Sequence, residues 1–228
     1  MSSPKEPIVV SIDGPAASGK STVARLVARA LDFVYVDSGA LYRGVTWKAL
    51  REWVSVRDPA RLLEMLANVE LEFYIEAGAV IFTLDGEDPG QQLRSGAVRE
   101  SVSDVAALPA VRAFVVAQLR GLVRFGHLVM EGRDIGSVVF PATPHKFYLD
   151  ADPGERARRR HQELLQAEGG GDVAAVLTSL QRRDRQDSTR PTAPLQIPLG
   201  ARVINTTAMQ AEEVAALIVG AVREALRG

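Results

Sequence analysis

The sequence predicts an α/β fold: a twisted, parallel, five-stranded sheet flanked by helices, with a small antiparallel β insertion. Two observations support this prediction. Short β-rich apolar runs recur along the 228-residue chain and are separated by segments with helical spacing, an alternation typical of parallel sheets with helical crossovers. One region instead alternates apolar and polar residues on both sides of a glycine turn, which is the pattern of an antiparallel hairpin. We treat residues 1–228 as a single domain.

The chain begins with a strand, a helix and a second strand. Ile8–Ile12 is a buried strand, and a glycine-bearing turn separates it from a helix over Lys20–Leu31 with apolar residues at helical spacing. Val34–Val36 is the second strand, followed by a helix from about Ala40 to Trp53. Because the three elements span only about thirty residues, the two strands are predicted to be parallel.

The insertion follows this unit. Apolar and polar residues alternate over Val69–Glu76 and again over Val80–Leu84, on either side of Ala77-Gly78. The glycine turn predicts a hairpin, and we expect a third short strand after Asp85-Gly86. Helical spacing then resumes and continues to about Arg124, with Pro109 suited to the first turn of a helix.

The remaining elements complete the sheet. Three further strands are predicted, at Leu128–Glu131, Lys146–Leu149 and Arg202–Ile204. A charged helical stretch from 152 to 190 is broken by the glycines at 169–171. Thr207 and Gln210 form a predicted capping box that opens the last helix.

Composition excludes several classes of protein. The net charge is −1, and the absence of a basic excess argues against a nucleic-acid binder. No cysteine is present, which excludes disulfides and thiolate metal sites. No apolar run approaches the roughly 18 residues of a membrane span, and no secretory signal is visible. We therefore expect a cytoplasmic monomer that binds neither nucleic acid nor membrane.

The turn after the first strand fits the phosphate-loop pattern G-x-x-x-x-G-K-[ST]. Its glycines let successive backbone N–H groups point at phosphate oxygens, and the following helix adds the positive end of its dipole. The lysine supplies a mobile cation, and the hydroxyl of Ser21 is a predicted Mg²⁺ ligand. The predicted ATP-binding residues are Gly14, Pro15, Ala16, Ala17, Ser18, Gly19, Lys20, Ser21 and Thr22.

The remaining charge pattern indicates a small phosphotransferase. The guanine-reading pattern N-K-x-D is absent, and the chain is short for a motor or helicase. Eight of the 23 arginines fall between residues 156 and 190, more than twice the share of an even spread. Arginines on a hinged lid can neutralise phosphate charge and exclude water. The alternative is a pair of solvated helices with acidic partners such as Glu163.

Several motifs together resemble one family. They are Ile12-Asp13-Gly14-Pro15 through Lys20, Asp37–Arg43, Leu84–Asp88, Val102-Ser103, Val105-Ala106, Pro109–Arg112, Gly132-Arg133-Asp134, Val138–Pro141, Phe147–Ala151, Arg183-Asp184, Asp187, Arg190 and Ala193–Leu195. The chain resembles the bacterial cytidylate kinases, of the nucleoside monophosphate kinase group, nearly end to end. The β-rich insertion is a feature of this family that short adenylate kinases lack.

The resemblance implies a P-loop kinase fold with a monophosphate-binding insertion at about residues 63–112 and a lid at about 153–190. The implied reaction transfers a phosphoryl group from ATP to CMP or dCMP, with Mg²⁺. The implied catalytic residues are Lys20, Arg133, Arg159, Arg160 and Arg190, of which Arg159 and Arg160 are lid arginines. The implied substrate-binding residues are Ser38, Tyr42, Arg43, Ser103, Arg112, Arg133, Asp134, Arg183, Asp187 and Arg190.

Within that set the resemblance gives each residue a role. Arg43, Arg133 and Arg190 bind phosphates, Ser103, Arg112 and Asp134 read the cytosine, and Arg183 and Asp187 contact the ribose, with Tyr42 beside the sugar. A carboxylate can accept from the N4 amino group of cytosine, and a guanidinium can donate to N3 and O2, whereas uracil reverses the pattern at position 4 and N3.

Each of these residues also has a structural interpretation. Asp134 could pair with Arg133 or cap a helix, Ser103 could lie on a helix surface, and Tyr42 could be core packing. Asp37 could orient the Mg²⁺ shell or cap the next helix. Glu131 stands where many family members have Asp, which leaves its contact with the Mg²⁺ shell open. There are two rival functions. One is a kinase for UMP or a small metabolite alcohol, and the other is a nucleotide-binding regulator without turnover.

Overall fold

One central sheet organises the computed structural model, which describes residues 6–55, 58–168 and 172–227. The strands are β1 (Val9–Asp13), β2 (Val34–Asp37), β3 (Leu71–Glu76), β4 (Ala79–Leu84), β5 (Leu128–Gly132), β6 (His145–Asp150) and β7 (Arg202–Asn205). Within the described ranges they form one seven-stranded sheet in the order β3-β4-β2-β5-β1-β6-β7. The predicted α/β class is therefore confirmed.

The predicted strand number of five is wrong, although β2, β5, β1, β6 and β7 do form a parallel array. The β3-β4 hairpin is not a separate sheet, because it continues the array at the edge formed by β2. Tyr35 pairs with Ala79 in parallel, and the Tyr35 N–H donates to the Gly78 carbonyl at 2.9 Å. The turn of the hairpin thus covers an edge that would otherwise leave backbone groups unpaired.

The hairpin itself follows the prediction, but the third short strand does not form. Leu71 pairs with Leu84 and Glu76 with Ala79, so Ala77 and Gly78 make the turn. Beyond Leu84 the chain reverses at once, because Asp85 has φ 51° and Gly86 has φ 76°. Only an isolated bridge between Leu84 and Glu87 remains.

The helices lie on both faces of the sheet. They are α1 (Lys20–Leu31), α2 (Ser38–Arg51), α3 (Pro59–Asn68), α4 (Gly96–Ala107), α5 (Pro109–Gly121), α6 (Pro153–Glu168), α7 (Val173–Thr189) and α8 (Ala211–Ala225). The capping box lies three residues later than predicted, since Gln210 and Glu213 form it. The hydroxyl of Thr207 instead accepts from the Asp152 N–H at 2.9 Å.

Two apolar clusters bury the two faces of the sheet. One packs α1 and α8 against β1 and β6, with Ile12 and Ile218 among its fully buried members. The other packs α2 to α5 against the opposite face and includes Leu41 and Met130. Burial on both faces explains why the central strands are continuous apolar runs rather than alternating ones.

In the described ranges, no single helix is long and apolar enough to cross a bilayer. The pair Gly96–Ala107 and Pro109–Phe125 together passes that test by length and composition, but it is bent by 95° at its break. Both helices also contribute side chains to the core, among them Val105 and Val115.

The predicted internal division stays a prediction. The hairpin and α4 fall within the predicted insertion, α5 only begins there, and α6 and α7 span the predicted lid. The glycine break at residues 169–171, on which the predicted lid hinge depends, lies outside the described residues.

Candidate active site

The segment between β1 and α1 wraps tightly around the start of the helix. Gly14 has φ 150°, and a Cβ there would lie 2.1 Å from the carbonyl oxygen of Leu149 on β6, so only glycine fits. Gly19, with φ 89°, is the N-cap of α1. The amides at the N-terminus of α1 are therefore free to bind an anion.

Lys20 is folded back onto this loop. Its side chain is buried, with 5% exposure, and Nζ donates to the Pro15 carbonyl at 2.7 Å. Burial lowers the pKa of Lys20 to about 7, and the positive charge of Arg133 adds to the shift. Among the described residues, the Pro15 carbonyl is the one hydrogen-bond acceptor of this ammonium.

Glu131 lies at the carboxyl end of β5, beside the phosphate loop. Its carboxylate accepts a hydrogen bond from the Tyr35 hydroxyl at 3.0 Å, and the nearby Ser21 side chain favours its charged form. The guanidinium of Arg25 lies 4.3 Å from the centre of the Tyr35 ring. Burial, together with the charge of Asp37, raises the pKa of Glu131.

Asp37 caps the next helix. Its Oδ1 accepts from the Ala40 N–H at 3.0 Å, and its Oδ2 accepts from Arg43 at 2.7 Å. Burial alone would raise the pKa of Asp37, but Arg43 and the helix amide hold it below its usual value. Since both oxygens are engaged, the arrangement favours the capping interpretation of Asp37 over the metal-shell one.

Asp13 was not predicted as a site residue, yet it fixes the loop that carries two of them. Its two oxygens accept from the backbone N–H groups of Ile135 and Gly136, both at 2.8 Å. Burial raises the pKa of Asp13 to about 6. The carboxylate therefore ties the segment after Arg133 and Asp134 to the end of β1. In the sequence Asp13 belongs to the matched motif Ile12-Asp13-Gly14-Pro15, but no role was assigned to it.

Asp134 pairs with Arg112 rather than with Arg133. Nη2 of Arg112 donates to Oδ2 of Asp134, and Nη1 donates to the Ala106 carbonyl at 3.2 Å. The exposure of Arg112 is only 2%, and Asp134 makes no side-chain cap to the following turn. The buried pair thus joins α5 to the end of β5.

Tyr42 lies under this pair. Arg112 is 5.4 Å from the centre of its ring, and the ring also packs in the core. The Tyr42 hydroxyl and Arg112 Nε are buried with no hydrogen-bond partner in the part of the chain that the structure describes. Unsatisfied buried donors are costly, so the pair is suited to a polar ligand.

A second ion pair lies beside the first. Arg133 Nε donates to Asp187 Oδ2 at 3.0 Å, which joins the end of β5 to α7. Arg190 Nε donates to the Ala193 carbonyl at 2.6 Å, and its Nη2 lies 3.9 Å from Asp134. Burial lowers the pKa of Arg183 to about 10, and the charge of Arg133 adds to the effect.

The two predicted lid arginines have different surroundings. Arg159 donates from Nη2 to the Thr206 carbonyl at 2.6 Å, and its Nη1 lies 3.7 Å from the position of a Cβ on Gly19. Arg160 donates to Glu163 at 2.8 Å, one turn along the same helix. Arg159 is therefore beside the phosphate loop, whereas Arg160 borders the cavity.

One cavity of about 1190 Å³ connects these groups. The predicted residues that line it are Ala16, Ala17, Gly19, Lys20, Ser21, Thr22, Asp37, Ser38, Tyr42, Arg43, Ser103, Arg112, Arg133, Asp134, Arg160, Arg183, Asp187 and Arg190. Those outside its lining are Gly14, Pro15, Ser18 and Arg159. The Ser38 hydroxyl is already engaged, since it donates to the Glu131 carbonyl at 2.7 Å.

Comparison with known proteins identifies the family. The cytidylate kinase family model matches residues 10–224. The cytidylate kinase of Caldanaerobacter subterraneus subsp. tengcongensis is 41% identical over 221 residues, which are 97% of each chain. That of Geobacillus thermodenitrificans is 43% identical over 217 residues, or 95% of this chain and 97% of the other. The chain belongs to the cytidylate kinase family. As a member it is a phosphotransferase, and its reaction is the phosphorylation of CMP.

Solved structures agree with the cytidylate kinase assignment at the level of the fold. A crystal structure from Thermus thermophilus is 20% identical, has a TM-score of 0.51, and is matched over 98% of this chain and 100% of that chain. An uncharacterized protein from Eubacterium ventriosum has a TM-score of 0.52 at 11% identity, over 95% of this chain and 98% of its own. At these identities the likeness shows the fold alone.

Two more residues of this cytidylate kinase have contacts that sequence reasoning missed. Arg156 is one of the eight arginines between residues 156 and 190, and its side chain turns inward and is buried. Asp184 belongs to a matched motif without an assigned role, and it accepts from Arg156 at 2.5 Å. No local pattern indicates this pair, because the two residues lie 28 positions apart.

Proposed function

We propose that this chain transfers the γ-phosphoryl group of ATP to the phosphate of CMP and of dCMP, through the residues described above. The single observation that carries the proposal is the continuous cavity from Lys20 to the Arg112–Asp134 pair. One end offers the cation and helix amides suited to a triphosphate. The other end offers a donor and an acceptor suited to cytosine, and arginines line the space between.

The phosphate loop holds the donor. Its backbone N–H groups and the N-terminus of α1 bind the β- and γ-phosphates, because aligned amides favour negative charge. Lys20 would exchange the Pro15 carbonyl for a phosphate oxygen, since a charged acceptor forms the stronger hydrogen bond. Arg159, beside Gly19, adds positive charge on the lid side.

The residues around Ser21 fit Mg²⁺, which prefers oxygen ligands and keeps several waters. The Ser21 hydroxyl would bind the ion, and the Glu131 carboxylate would hold a water of its shell. Glu131 suits this role better than Asp37, because the Ser21 side chain is near enough to favour its charged form, whereas both oxygens of Asp37 have other partners. When bound, the ion neutralises charge on the β- and γ-phosphates.

The Arg112–Asp134 pair reads the base. Asp134 accepts from the N4 amino group, and Arg112 donates to N3 and O2, with Ser103 lining the same end of the cavity. Uracil would place an acceptor against the carboxylate and a donor against the guanidinium. A site built on such hydrogen bonds rejects the wrong base strongly, because mismatched buried groups stay unpaired.

The arginines bring the two phosphates together. Arg43, Arg133 and Arg190 neutralise the charge between acceptor and transferred phosphoryl group, with Arg160 from the lid side. An oxygen of the CMP phosphate attacks the γ-phosphorus, and the bond to the β–γ bridging oxygen breaks, so that ADP leaves. No side chain must remove a proton, because the acceptor phosphate is already anionic; catalysis is positioning and electrostatic stabilisation.

Asp187 and Arg183 would contact the ribose. The Asp187 carboxylate lies at hydrogen-bond distance from Arg133, so it can hold that arginine and a sugar hydroxyl together. Tyr42 would lie beside the sugar, with its hydroxyl available as a donor.

The remaining parts of the proposal concern the setting. We propose a cytoplasmic monomer that binds ATP and CMP or dCMP and neither nucleic acid nor membrane. The net charge of −1 argues against a nucleic-acid or polyanionic-membrane binder. Light scattering at micromolar concentration, with and without nucleotides, tests the monomer, and a mass near 49 kDa, twice the 24.6 kDa chain, would contradict it.

An acceptor panel tests the reaction. ADP release from Mg·ATP is measured with CMP, dCMP, UMP, AMP, GMP and no acceptor. We expect CMP and dCMP to exceed UMP by about a hundredfold or more in kcat/KM. UMP turnover well above CMP would overturn the base-reading assignment, and ATP binding without any product would indicate a regulator.

One variant links the panel to the site. Asp134→Asn should lower kcat/KM for CMP by about tenfold to a hundredfold, because a charged hydrogen bond is lost. The ratio of kcat/KM for CMP to kcat/KM for UMP should therefore decrease. Glu64→Gln is the matched control, since Glu64 is exposed on α3 and should leave the ratio unchanged. An unaltered ratio in Asp134→Asn would remove that residue from base recognition.

A further inference from the structure

Arg156 is a buried guanidinium that touches three separate elements. Its exposure is 6%. Nε donates to the Ala151 carbonyl just after β6 at 3.1 Å. Nη1 donates to the Ala16 carbonyl in the phosphate loop at 3.1 Å and to Asp184 Oδ2 on α7 at 2.5 Å. One side chain of α6 therefore joins the phosphate loop to the other lid helix.

Its neighbours on α6 behave differently. The Arg158 side chain is 57% exposed and pairs with Glu155 within the helix. Arg160 likewise pairs with Glu163 in the same helix. Burying a charged group is costly unless it is paired and hydrogen-bonded, so the inward course of Arg156 is not the default for this arginine-rich helix.

Asp184 transmits the contact to the acceptor side. It lies directly after Arg183 and one helical turn before Asp187, and residues at that spacing share a face of the helix. Asp187 in turn holds Arg133. The second oxygen of Asp184, Oδ1, is buried and has no hydrogen-bond partner among the described residues, so the carboxylate depends on Arg156.

A continuous series of contacts thus runs from donor to acceptor. It begins at the Ala16 carbonyl in the phosphate loop, passes through Arg156 to Asp184, and continues along α7 to Asp187 and Arg133. The guanidinium can bind two acceptors at once in a fixed geometry, which a lysine ammonium on a flexible stem cannot reproduce.

We propose that Arg156 and Asp184 are a positioning pair that couples the two nucleotide sites, by fixing the phosphate loop relative to the helix that carries Arg183, Asp187 and Arg190. The inference rests on the proposed function, because it concerns the same two sites. Neither residue lines the cavity. When ATP orders the phosphate loop, the pair orders α7, and CMP then binds to an acceptor site that is already arranged. By linkage, CMP must strengthen ATP binding by the same factor.

The test measures coupling rather than activity alone. The Kd of CMP is determined by calorimetry with and without saturating Mg²⁺ and a non-hydrolysable ATP analogue. For the wild-type chain we expect CMP to bind at least about fivefold more tightly when the analogue is present, within the usual range for coupled sites. The coupling ratio is the Kd of CMP without the analogue divided by its Kd with the analogue. In Asp184→Asn and in Arg156→Lys this coupling ratio should fall to near one.

Kinetics supply a second readout. We expect kcat to fall by about tenfold to a hundredfold in both variants, since small misplacements of reacting groups have effects of that size. The KM for ATP at saturating CMP should rise by about the lost coupling factor. The double variant should be no worse than the more affected single variant, because the two residues act as one unit. Arg158→Lys is the matched control on the same helix, and its coupling ratio should equal that of the wild type.

Three results would overturn the inference. The first is a wild-type coupling ratio of one. The second is an unchanged ratio in both variants, and a lowered Tm alongside it would mark the pair as structural only. The third is a double variant in which the two effects multiply. If Asp184→Asn does not fold, Arg156→Lys keeps the charge and gives the same readout. Failure of the proposed function is distinguishable, because the wild-type chain would then not phosphorylate CMP; the coupling would be measured with the acceptor that the panel identifies.

Discussion

The two ends of the cavity hold their charges in different ways. At the phosphate loop, the positive potential comes from backbone amides and from Lys20, whose only hydrogen bond in the described chain is to the Pro15 carbonyl. At the acceptor end, the arginines already have carboxylate partners: Arg112 with Asp134, Arg133 with Asp187, and Arg43 with Asp37. One end is shaped by backbone geometry and the other by ion pairs, two of which join segments far apart in the sequence.

This difference separates binding strength from selectivity. A backbone cradle binds any suitable phosphate, because N–H groups carry no information about the base. Paired arginines can accept a ligand only if it replaces or extends their hydrogen bonds, since an unpaired buried charge is costly. We therefore expect the acceptor end to discriminate between nucleotides, and the donor end to supply most of the rate enhancement of phosphoryl transfer.

The largest predicted effect is at the donor end. Lys20→Ala should reduce kcat with CMP by about a thousandfold, because a preorganised cation at the transferred phosphoryl group is lost. ADP release under saturating Mg·ATP measures it. Lys146→Ala is the matched control, since that ammonium binds the Pro141 and Leu199 carbonyls outside the cavity. A decrease of less than tenfold in Lys20→Ala would mean that the acceptor end supplies the rate as well.

A smaller effect is predicted at the acceptor end. Asp187→Ala removes the carboxylate that holds Arg133 and, by our proposal, a ribose hydroxyl. The KM for CMP should rise about tenfold, as for the loss of a charged hydrogen bond, and the KM for dCMP should rise less. Measuring both acceptors on one preparation makes dCMP the internal control. Equal changes for the two acceptors would assign Asp187 to Arg133 alone.

A third prediction concerns the stability of the region between the two ends, where Asp13 ties the turn after Asp134 to β1. Its pKa is raised from 3.8 to about 6 in the folded chain. The folded state therefore binds the proton more tightly than the unfolded state, and this contribution to stability is lost as pH rises from about 4 through 6. The full difference is about 3 kcal/mol.

Urea unfolding at several pH values tests this. Asp13→Asn cannot ionise, so the free energy of unfolding of the wild-type chain should decline relative to that of the variant as pH increases over this range. Above pH 7 the difference in the free energy of unfolding between the wild-type chain and Asp13→Asn should be constant. Parallel curves across the whole range would mean that the Asp13 pKa is not raised.

The sequence predicts the donor end far better than the acceptor end. The phosphate loop is contiguous, and its glycines have a local reason, such as the 2.1 Å approach of Leu149 to a Cβ at Gly14. The acceptor residues were identified through the family resemblance, because no spacing rule relates Arg112 to Asp134. Their pairing depends on how α5 packs against the end of β5, which is a tertiary effect.

The fold shows a similar division. The five parallel strands were predicted because each is an apolar run, whereas the total of seven required knowing that the hairpin turn pairs with Tyr35. A single bridging contact between remote segments leaves no periodicity in the sequence. Asp13 and Arg156 were missed for the same reason, because their partners are backbone groups or residues on other elements.

The close approach of Gly14 to β6 has a consequence for engineering this enzyme. A side chain at position 14 would have to displace the end of β6, and with it Ala151, which binds Arg156. Saturation mutagenesis of the loop should therefore find position 14 intolerant of every replacement. Attempts to alter donor preference are best directed at the lid and the Thr206 segment, leaving the loop backbone untouched.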